Sequence, residues 1–331
     1  MEMRKFGRTG LQVSILGFGC GAVGGLMVRG APGDQERAVA RALEAGVNYF
    51  DTAAMYGNGE SEKNLGRVLA KLKPNVIVGT KVRIKSTDFN RIDAAVAESL
   101  EASLKRMGRE QVDIFHLHNA ITTNGGGESI AAKTVLEEVV PAFEKLRRQG
   151  KMRCLGITAV GDTAALHQVI DARVFDSAQV SYNMLNPSAG SALPAGYPAQ
   201  DYGKMFDHTQ SAGVGVVGIR VLAGGALSGA AERHPIASPP PDPIGSAHSY
   251  DADMQRARRL SPLVQQGHAG SLPEAAVRFA ISHPAMGTIL VGMATPAEFE
   301  QALAAVNKGP VSQAALDSLA TIQRGFVGEA R

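Results

Sequence analysis

Residues 91–118 read RIDAAVAESLEASLKRMGREQVDIFHLH, and two periodicities meet inside them. Ile92, Val96, Leu100 and Leu104 fall four apart, one stripe of a helix, and Gly108 stands where a left-handed cap would stop it. Val112 to His118 then runs apolar almost throughout, the pattern of a strand covered on both faces. The same unit recurs in both directions along the chain. Strands are expected at Leu16 to Cys20, Val47 to Asp51, Val76 to Lys81, Arg153 to Thr158, Ser177 to Tyr182, Val214 to Val221 and Thr288 to Gly292. One intervening helix follows Asp34 and closes at Gly46; another begins at Thr134 and closes at Gly150. Ser271-x-x-Glu274 and Thr295-x-x-Glu298 have capping-box form with proline in the first turn. Eight strands alternating with helices predict the α/β class, a closed (β/α)8 TIM barrel formed by residues 1–331 as one domain. An N-terminal β-hairpin precedes it. An open doubly wound sheet is the alternative, but GFGCGAVGG at 17–25 lacks the spacing of a strand–GxGxxG–helix unit.

The 331 residues carry 34 Lys plus Arg against 31 Asp plus Glu, a net charge of +3. Arg147-Arg148 and the cluster from Arg256 to Arg259 fall on helical faces, so nucleic acid is not an expected partner. Cys20 and Cys154 have no ligand-like spacing, which argues against a disulfide framework and a zinc site and for a reducing compartment. The opening MEMRKFGRTG lacks the apolar core of a secretory signal. No run reaches the roughly 18 apolar residues of a membrane span. A cytoplasmic protein with no membrane partner and no metal is expected.

Two connections are long. Asn119 to Ala132 follows the fourth strand and holds Gly125-Gly126-Gly127; Ala230 to Met254 follows the seventh and holds Pro239-Pro240-Pro241. Both leave carboxyl ends of strands, where barrel enzymes bind substrate, and are expected to wall a pocket. Asp51, Lys81 and His118 end the second, third and fourth strands, and Tyr56 follows Asp51 by five residues. Each alone has a plain explanation: a turn cap, a snorkelling lysine, a satisfied histidine, a loop aromatic. A lysine and an aspartate in apolar strands nonetheless each bear a desolvation cost unless paired, and pairing at one barrel mouth removes it for both.

The pieces FDTAAMYG (50–57), GTKV (79–82), VDIFHLH (112–118) and GTILVGMATP (287–296) resemble the aldo-keto reductase family in order and spacing. So do MRKFGRTGLQVSILGFGCG (3–21) and LRRQGKMRCLGIT (146–158), and the resemblance spans about residues 1–308. It implies reversible hydride transfer between NAD(H) or NADP(H) and a small-molecule carbonyl: an aldehyde, a ketone or a sugar. It also implies a catalytic tetrad of Asp51, Tyr56, Lys81 and His118. Tyr56 would be general acid or base, Lys81 would lower its pKa, Asp51 would keep Lys81 charged, and His118 would bond the substrate oxygen. His116 shares that strand face, one pleat deeper, and is expected to be structural.

The resemblance further implies a cofactor site of Gly19, Cys20, Gly21, Asp51, Thr158, Gln179, Arg220, Leu222, Gly224, Gly292, Met293, Thr295 and Glu298. Three departures stand out. Ala159 replaces the usual asparagine after Thr158. Arg220 stands where serine is usual, and its guanidinium suits a pyrophosphate, with a rim salt bridge as the alternative. Ala294, Glu298 and Ala302 replace polar or cationic residues, which favours NAD(H), since a carboxylate accepts from a ribose 2′-hydroxyl and repels a 2′-phosphate. A plain capping box at Thr295 and Glu298 is the alternative there. Rival functions are a non-catalytic nicotinamide-binding redox sensor or subunit, and a Schiff-base lyase using Lys81. The substrate itself is not legible; Tyr182, Tyr197, Tyr202, Tyr250 and Phe206 are candidate lining residues, with surface or core roles as the equal alternative.

Overall fold

The computed structural model describes residues 1–230 and 232–329. Ala231, within the long segment after the seventh strand, and residues 330–331, the end of the expected domain, lie outside the described residues. Eight parallel strands close into a barrel: β1 (Leu16–Gly19), β2 (Tyr49–Asp51), β3 (Ile77–Val82), β4 (Val112–Leu117), β5 (Met152–Thr158), β6 (Ser177–Ser181), β7 (Gly215–Ile219) and β8 (Met286–Val291). Each pairs with the next in sequence, and β8 pairs with β1. The bounds move by a residue or two because the ladder, not the apolar run, sets them. Asn48, for example, is drawn off to the hairpin, exchanging hydrogen bonds of 2.8 and 3.0 Å with Ser14.

The hairpin pairs Met3–Lys5 with Gln12–Ser14 and plugs the amino end of the barrel. Phe6, fully buried, lies against Tyr49, Ile114 and Val217 in a small core distinct from the main one. Its ring needs the glycines opposite: a Cβ on Gly215 would sit 2.8 Å from it.

The helices depart from expectation at two starts. The first long helix spans Pro32–Glu44, so Asp34 lies inside its first turn, beside the positive helix end, and Ala31 is the cap. The helix expected from Thr134 begins at Ala132 and opens into a π turn at Val135–Val139 before continuing as Val140–Arg148. Pro141 supplies the cause, because it has no N–H to offer Glu137 and the ladder shifts to Val140 N bonding Val135 O. Gly108 caps its helix at φ 63° as expected, and Ser271 and Thr295 accept from the backbone of Glu274 and Glu298.

The segment after β4 carries two paired dipeptide strands, Ile121–Thr122 and Ile130–Ala131. After β7 a short 3-10 turn, Ala223–Ser228, precedes the loop, and helix Tyr250–Arg258 begins ahead of Met254. A third long connection, residues 182–204 after β6, was not anticipated. Its turns rest on side chains: Asn183 Oδ1 accepts from Leu185 N and Asn186 N, and Asn186 Nδ2 donates to Gln200 O and Gly245 O. No helix among the described residues is long and apolar enough to cross a membrane.

Candidate active site

Asp51 closes β2 and Lys81 lies one residue from the end of β3; both side chains face the lumen, with 4% and 0% exposure. Lys81 Nζ forms an ion pair with Asp51 Oδ1 and donates to Thr52 O at 2.7 Å. Two of the three ammonium N–H groups are thereby engaged. The third is left on the side of Tyr56, whose ring centroid is 4.9 Å from Nζ. Asp51 Oδ2 accepts from Gln179 Nε2 at 2.6 Å. Burial lowers the affinity of Lys81 for its proton, but Asp51 and then Tyr56 outweigh it, so its pKa is raised and the ammonium stays charged. Burial pushes the Asp51 carboxyl up, opposed by Lys81 and Gln179.

Tyr56 is placed by a turn in which its own N bonds Ala53 O, and Ser61 N bonds its carbonyl. That turn is pinned by a chain the sequence did not reveal: Thr52 Oγ1 and Ser61 Oγ at 2.8 Å, and Ser61 Oγ donating to Cys20 O at 2.8 Å. Burial pushes the phenol pKa above its ordinary value, and the nearby Lys81 charge pulls back without overcoming it. Lys81 does lower this pKa, as expected, but desolvation is the larger effect, so the net shift is upward and Tyr56 holds its proton at neutral pH.

His118 lies just past β4, its N bonding Val82 O at 2.7 Å, and its ring stands edge-on to Tyr56 with centroids 6.0 Å apart. Burial, then the charges of Lys81 and Arg83, push its pKa down to about 3. It is neutral at pH 7, and its buried Nδ1 has no partner among the described residues. His116 lies deeper, opposite Lys81 in register, with Nε2 3.2 Å from Ser177 Oγ. Gly156 makes room for its ring, since a Cβ there would be 2.3 Å from it.

The expected cofactor residues sit around the ends of β1 and β5 to β8. Gly19 ends β1, Cys20 N bonds Asp51 O at 2.9 Å, and the space over Gly21 is open, with nothing within 4 Å of a Cβ. Thr158 Oγ1 and Gln179 Oε1 are 3.5 Å apart, so Gln179 links Thr158 to Asp51. Arg220 adopts φ 58°, its carbonyl held by Asn183 Nδ2 at 2.9 Å and its Nη1 donating to Asp242 O at 3.2 Å. The rim salt bridge does not form: among the described residues no carboxylate lies within ion-pair distance of Arg220. Gly224 has φ 69°, and a Cβ on it would meet Pro241 Cγ at 2.8 Å. Leu222 forms the turn before it and accepts from Gly225 N at 2.8 Å.

Pro241 of the β7 segment thus packs over the Arg220–Gly224 turn. The same segment also reaches the loop after β1, two strands away around the rim, where Ser238 N bonds Val23 O at 2.9 Å and Arg29 donates to Ile236 O. After β8, Gly292 leads into Met293, which is buried against Gly24; a Cβ on Gly24 would be 2.2 Å from Met293 N. Leu26 N takes up Met293 O at 3.0 Å. Thr295 caps helix Pro296–Asn307 and Glu298 Oε2 accepts from Ala294 N at 2.7 Å, so the capping function of this pair is real. Tyr182, Tyr197, Tyr202 and Phe206 belong to the packed core and not to the mouth, Tyr182 stacking on Phe279 at 4.8 Å. Tyr250 lies half-buried under Arg233. No cluster of three or more His, Cys, Asp or Glu among the described residues could hold a metal ion.

Residues 15–324 match the model of the Aldo/keto reductase family. L-galactose dehydrogenase of Arabidopsis thaliana is 28% identical over 316 residues, which cover 93% of this chain and 89% of that protein. D-threo-aldose 1-dehydrogenase of a Pseudomonas species is 27% identical over 330 residues, covering 88% and 89%. Among solved structures, an aldo-keto reductase from Bacillus halodurans in its holo form aligns with a TM-score of 0.72 at 23% identity, covering 100% of this chain and 97% of that one, a likeness of fold.

Proposed function

This chain belongs to the aldo/keto reductase family, and we propose that it interconverts a carbonyl and an alcohol on a small molecule, with Tyr56 as general acid and base. The observation that carries this reading is the buried Asp51–Lys81 pair with one ammonium N–H left toward Tyr56. A nicotinamide cofactor, when bound, supplies or accepts the hydride. The residues fit such a group: a guanidinium at Arg220 with no carboxylate partner among the described residues, open space over Gly21, and a helix N-terminus after β8 that favours anions.

In reduction, Tyr56 Oη gives its proton to the carbonyl oxygen as negative charge builds there. The raised pKa keeps that proton in place at neutral pH. Lys81 stabilises the phenolate left behind, and Asp51 holds Lys81 in position and charged. Neutral His118 offers one ring N–H to the same oxygen. The charge on Lys81 and its two engaged N–H groups argue against a Schiff-base nucleophile.

Arg220 would hold the pyrophosphate, Thr158 and Gln179 the nicotinamide end, and Gly19, Cys20, Gly21, Leu222, Gly224, Gly292 and Met293 would line the path between. Glu298 at the start of the last barrel helix, with Ala294 and Ala302 where cationic or polar residues are usual, supports NAD(H): a 2′-phosphate would meet a carboxylate. The two relatives named as sugar dehydrogenases support a sugar-like substrate. Turnover of sugars, aldehydes and ketones with NADH/NAD and NADPH/NADP tests this. Tyr56→Phe should lose about 10²- to 10⁴-fold in kcat while cofactor binding persists. Near-normal turnover in that variant rejects the mechanism, and a large NADPH preference rejects the cofactor assignment.

A further inference from the structure

Arg83 lies two residues beyond Lys81, just past the end of β3 at Val82, and the alternation of the strand, continued by one residue, sends its side chain to the Lys81 side, one pleat closer to solvent. The residue between them, Val82, is buried, and its carbonyl accepts from His118 N at 2.7 Å. Arg83 is therefore seated beside His118, above the tetrad, close enough for its charge to act on the His118 ring.

The backbone beneath Arg83 is fixed. Ile84 N donates to Asn119 Oδ1 at 2.8 Å, and Asn119 Nδ2 donates to Ile84 O at 2.7 Å. Glu128, an acid on which the Arg83 charge acts, is taken up by Ser86, whose hydroxyl donates to it at 2.8 Å. Among the described residues Arg83 itself has no hydrogen bond and no ion pair, and it is exposed. Other arginines of the rim are engaged, Arg233 with Gly224 O and Ser238 O, and Arg29 with Ile236 O and Ala22 O. An exposed arginine on an ordinary surface needs no partner. One on a rigid backbone, facing the space above the reacting groups, is a preorganised fork for an oxyanion.

We propose that Arg83 is a specificity-determining residue that binds an oxyanion of the substrate, a carboxylate or a phosphate, so that the enzyme acts on acidic sugars or acidic carbonyl compounds in preference to neutral ones. This rests on the assignment of Tyr56 and His118 to the reacting oxygen. A carbonyl oxygen held by those two groups leaves a charged end of the same molecule directed toward Arg83.

The test uses matched probes. 4-Carboxybenzaldehyde and 4-nitrobenzaldehyde have nearly the same shape and differ by one charge; glyceraldehyde 3-phosphate and glyceraldehyde make the comparison for phosphate. The wild-type protein should prefer the charged member by about tenfold in kcat/KM, and the pair with the larger preference identifies the oxyanion. Arg83→Met should bring that ratio close to one through the KM of the charged member, and Arg83→Lys should restore part of it. A wild-type ratio near one, or a ratio that Arg83→Met leaves unchanged, overturns the proposal. Failure of the wild type to reduce any of the four rejects the reductase reading instead, and terephthalate binding by calorimetry then decides the subsite. Binding abolished in Arg83→Met supports it, and no binding, or equal binding in both proteins, overturns it.

Discussion

Thr80 and Lys81 are neighbours on β3, and their side chains leave opposite faces of the strand for two different buried ion pairs. Thr80 points outward and its hydroxyl donates to Glu62 Oε1 at 2.6 Å. Arg106 Nε reaches the other oxygen of Glu62 at 2.6 Å, and Arg106 Nη2 bonds Ser103 Oγ at 3.0 Å. Lys81 points inward to Asp51. Both carboxylates are out of water, with side-chain exposures of 0% for Glu62 and 4% for Asp51. The outer pair is saturated: each carboxylate oxygen has its donor, and the arrangement fastens two helices to the strand. The inner pair leaves an ammonium N–H toward Tyr56, with an unpartnered His118 nitrogen beside it. A buried ion pair alone is weak evidence for anything; hydrogen-bonding capacity left over next to it marks where a substrate can be received.

Removing one charged partner from each pair, the cation of the inner and the carboxylate of the outer, should separate the two cases. Lys81→Met strands the Asp51 charge in the lumen and should cost about 3–5 kcal/mol in urea unfolding at pH 7, with turnover falling together with it. A variant that keeps its stability would mean Asp51 is not charged in the fold. Glu62→Gln should cost less, about 1–3 kcal/mol, because Arg106 keeps part of its surface in water. Turnover per folded molecule should survive, since nothing in the lumen changes; loss of kcat without loss of stability would erase the distinction between the pairs.

The inner pair was legible from sequence and the outer one was not, for a physical reason. Asp51 and Lys81 break apolar strand patterns, and a break of that kind requires a partner wherever the strand lies. Glu62 and Arg106 sit in helices Glu60–Leu72 and Ile92–Met107, where charges fit the pattern of a solvated face. Only the packing of those helices on the closed barrel removes them from water. Tyr56 lies on a loop with no periodicity, so its role came from family resemblance. The barrel followed from the alternation of β1 to β8, whereas the connection at 182–204 did not, because Asn183 and Asn186 build it from side-chain bonds. The sign of the phenol shift at Tyr56 depended on burial outweighing a cation, and depth of burial is not written in local sequence.

His118 extends the comparison to acid. Its pKa of about 3 lies below the ordinary value, so between pH ~6.5 and pH 3 the unfolded chain takes up a proton that the folded one refuses. Its contribution to stability is therefore complete above that window and is lost as pH falls through it. His118→Gln should make the acid-side fall shallower by up to about 1.4 kcal/mol per pH unit, read from urea midpoints between pH 4 and 7. An unchanged slope would mean that His118 already titrates normally in the fold.

Asp253 lies between the two pairs in character and should give the smallest effect. It is buried at 1% exposure on the helix that ends the β7 segment, with Ser246 Oγ donating to Oδ2 at 2.6 Å and Oδ1 without a partner among the described residues. Burial raises its pKa to about 6, partly opposed by Ser246, Arg256 and Arg220. For a carboxyl raised in this way, the folded state keeps a proton that the unfolded chain releases between pH ~4 and pH 6, so stability declines as pH rises through that window. Asp253→Asn removes the charge and keeps an acceptor for Ser246. It should stabilise the protein by about 1–2 kcal/mol at pH 8 and by nothing measurable at pH 3.5, where the native carboxyl is neutral in both states. A gain that is the same at both pH values would trace to packing, and a loss at pH 8 would show that the Asp253 charge is paired as tightly as that of Glu62.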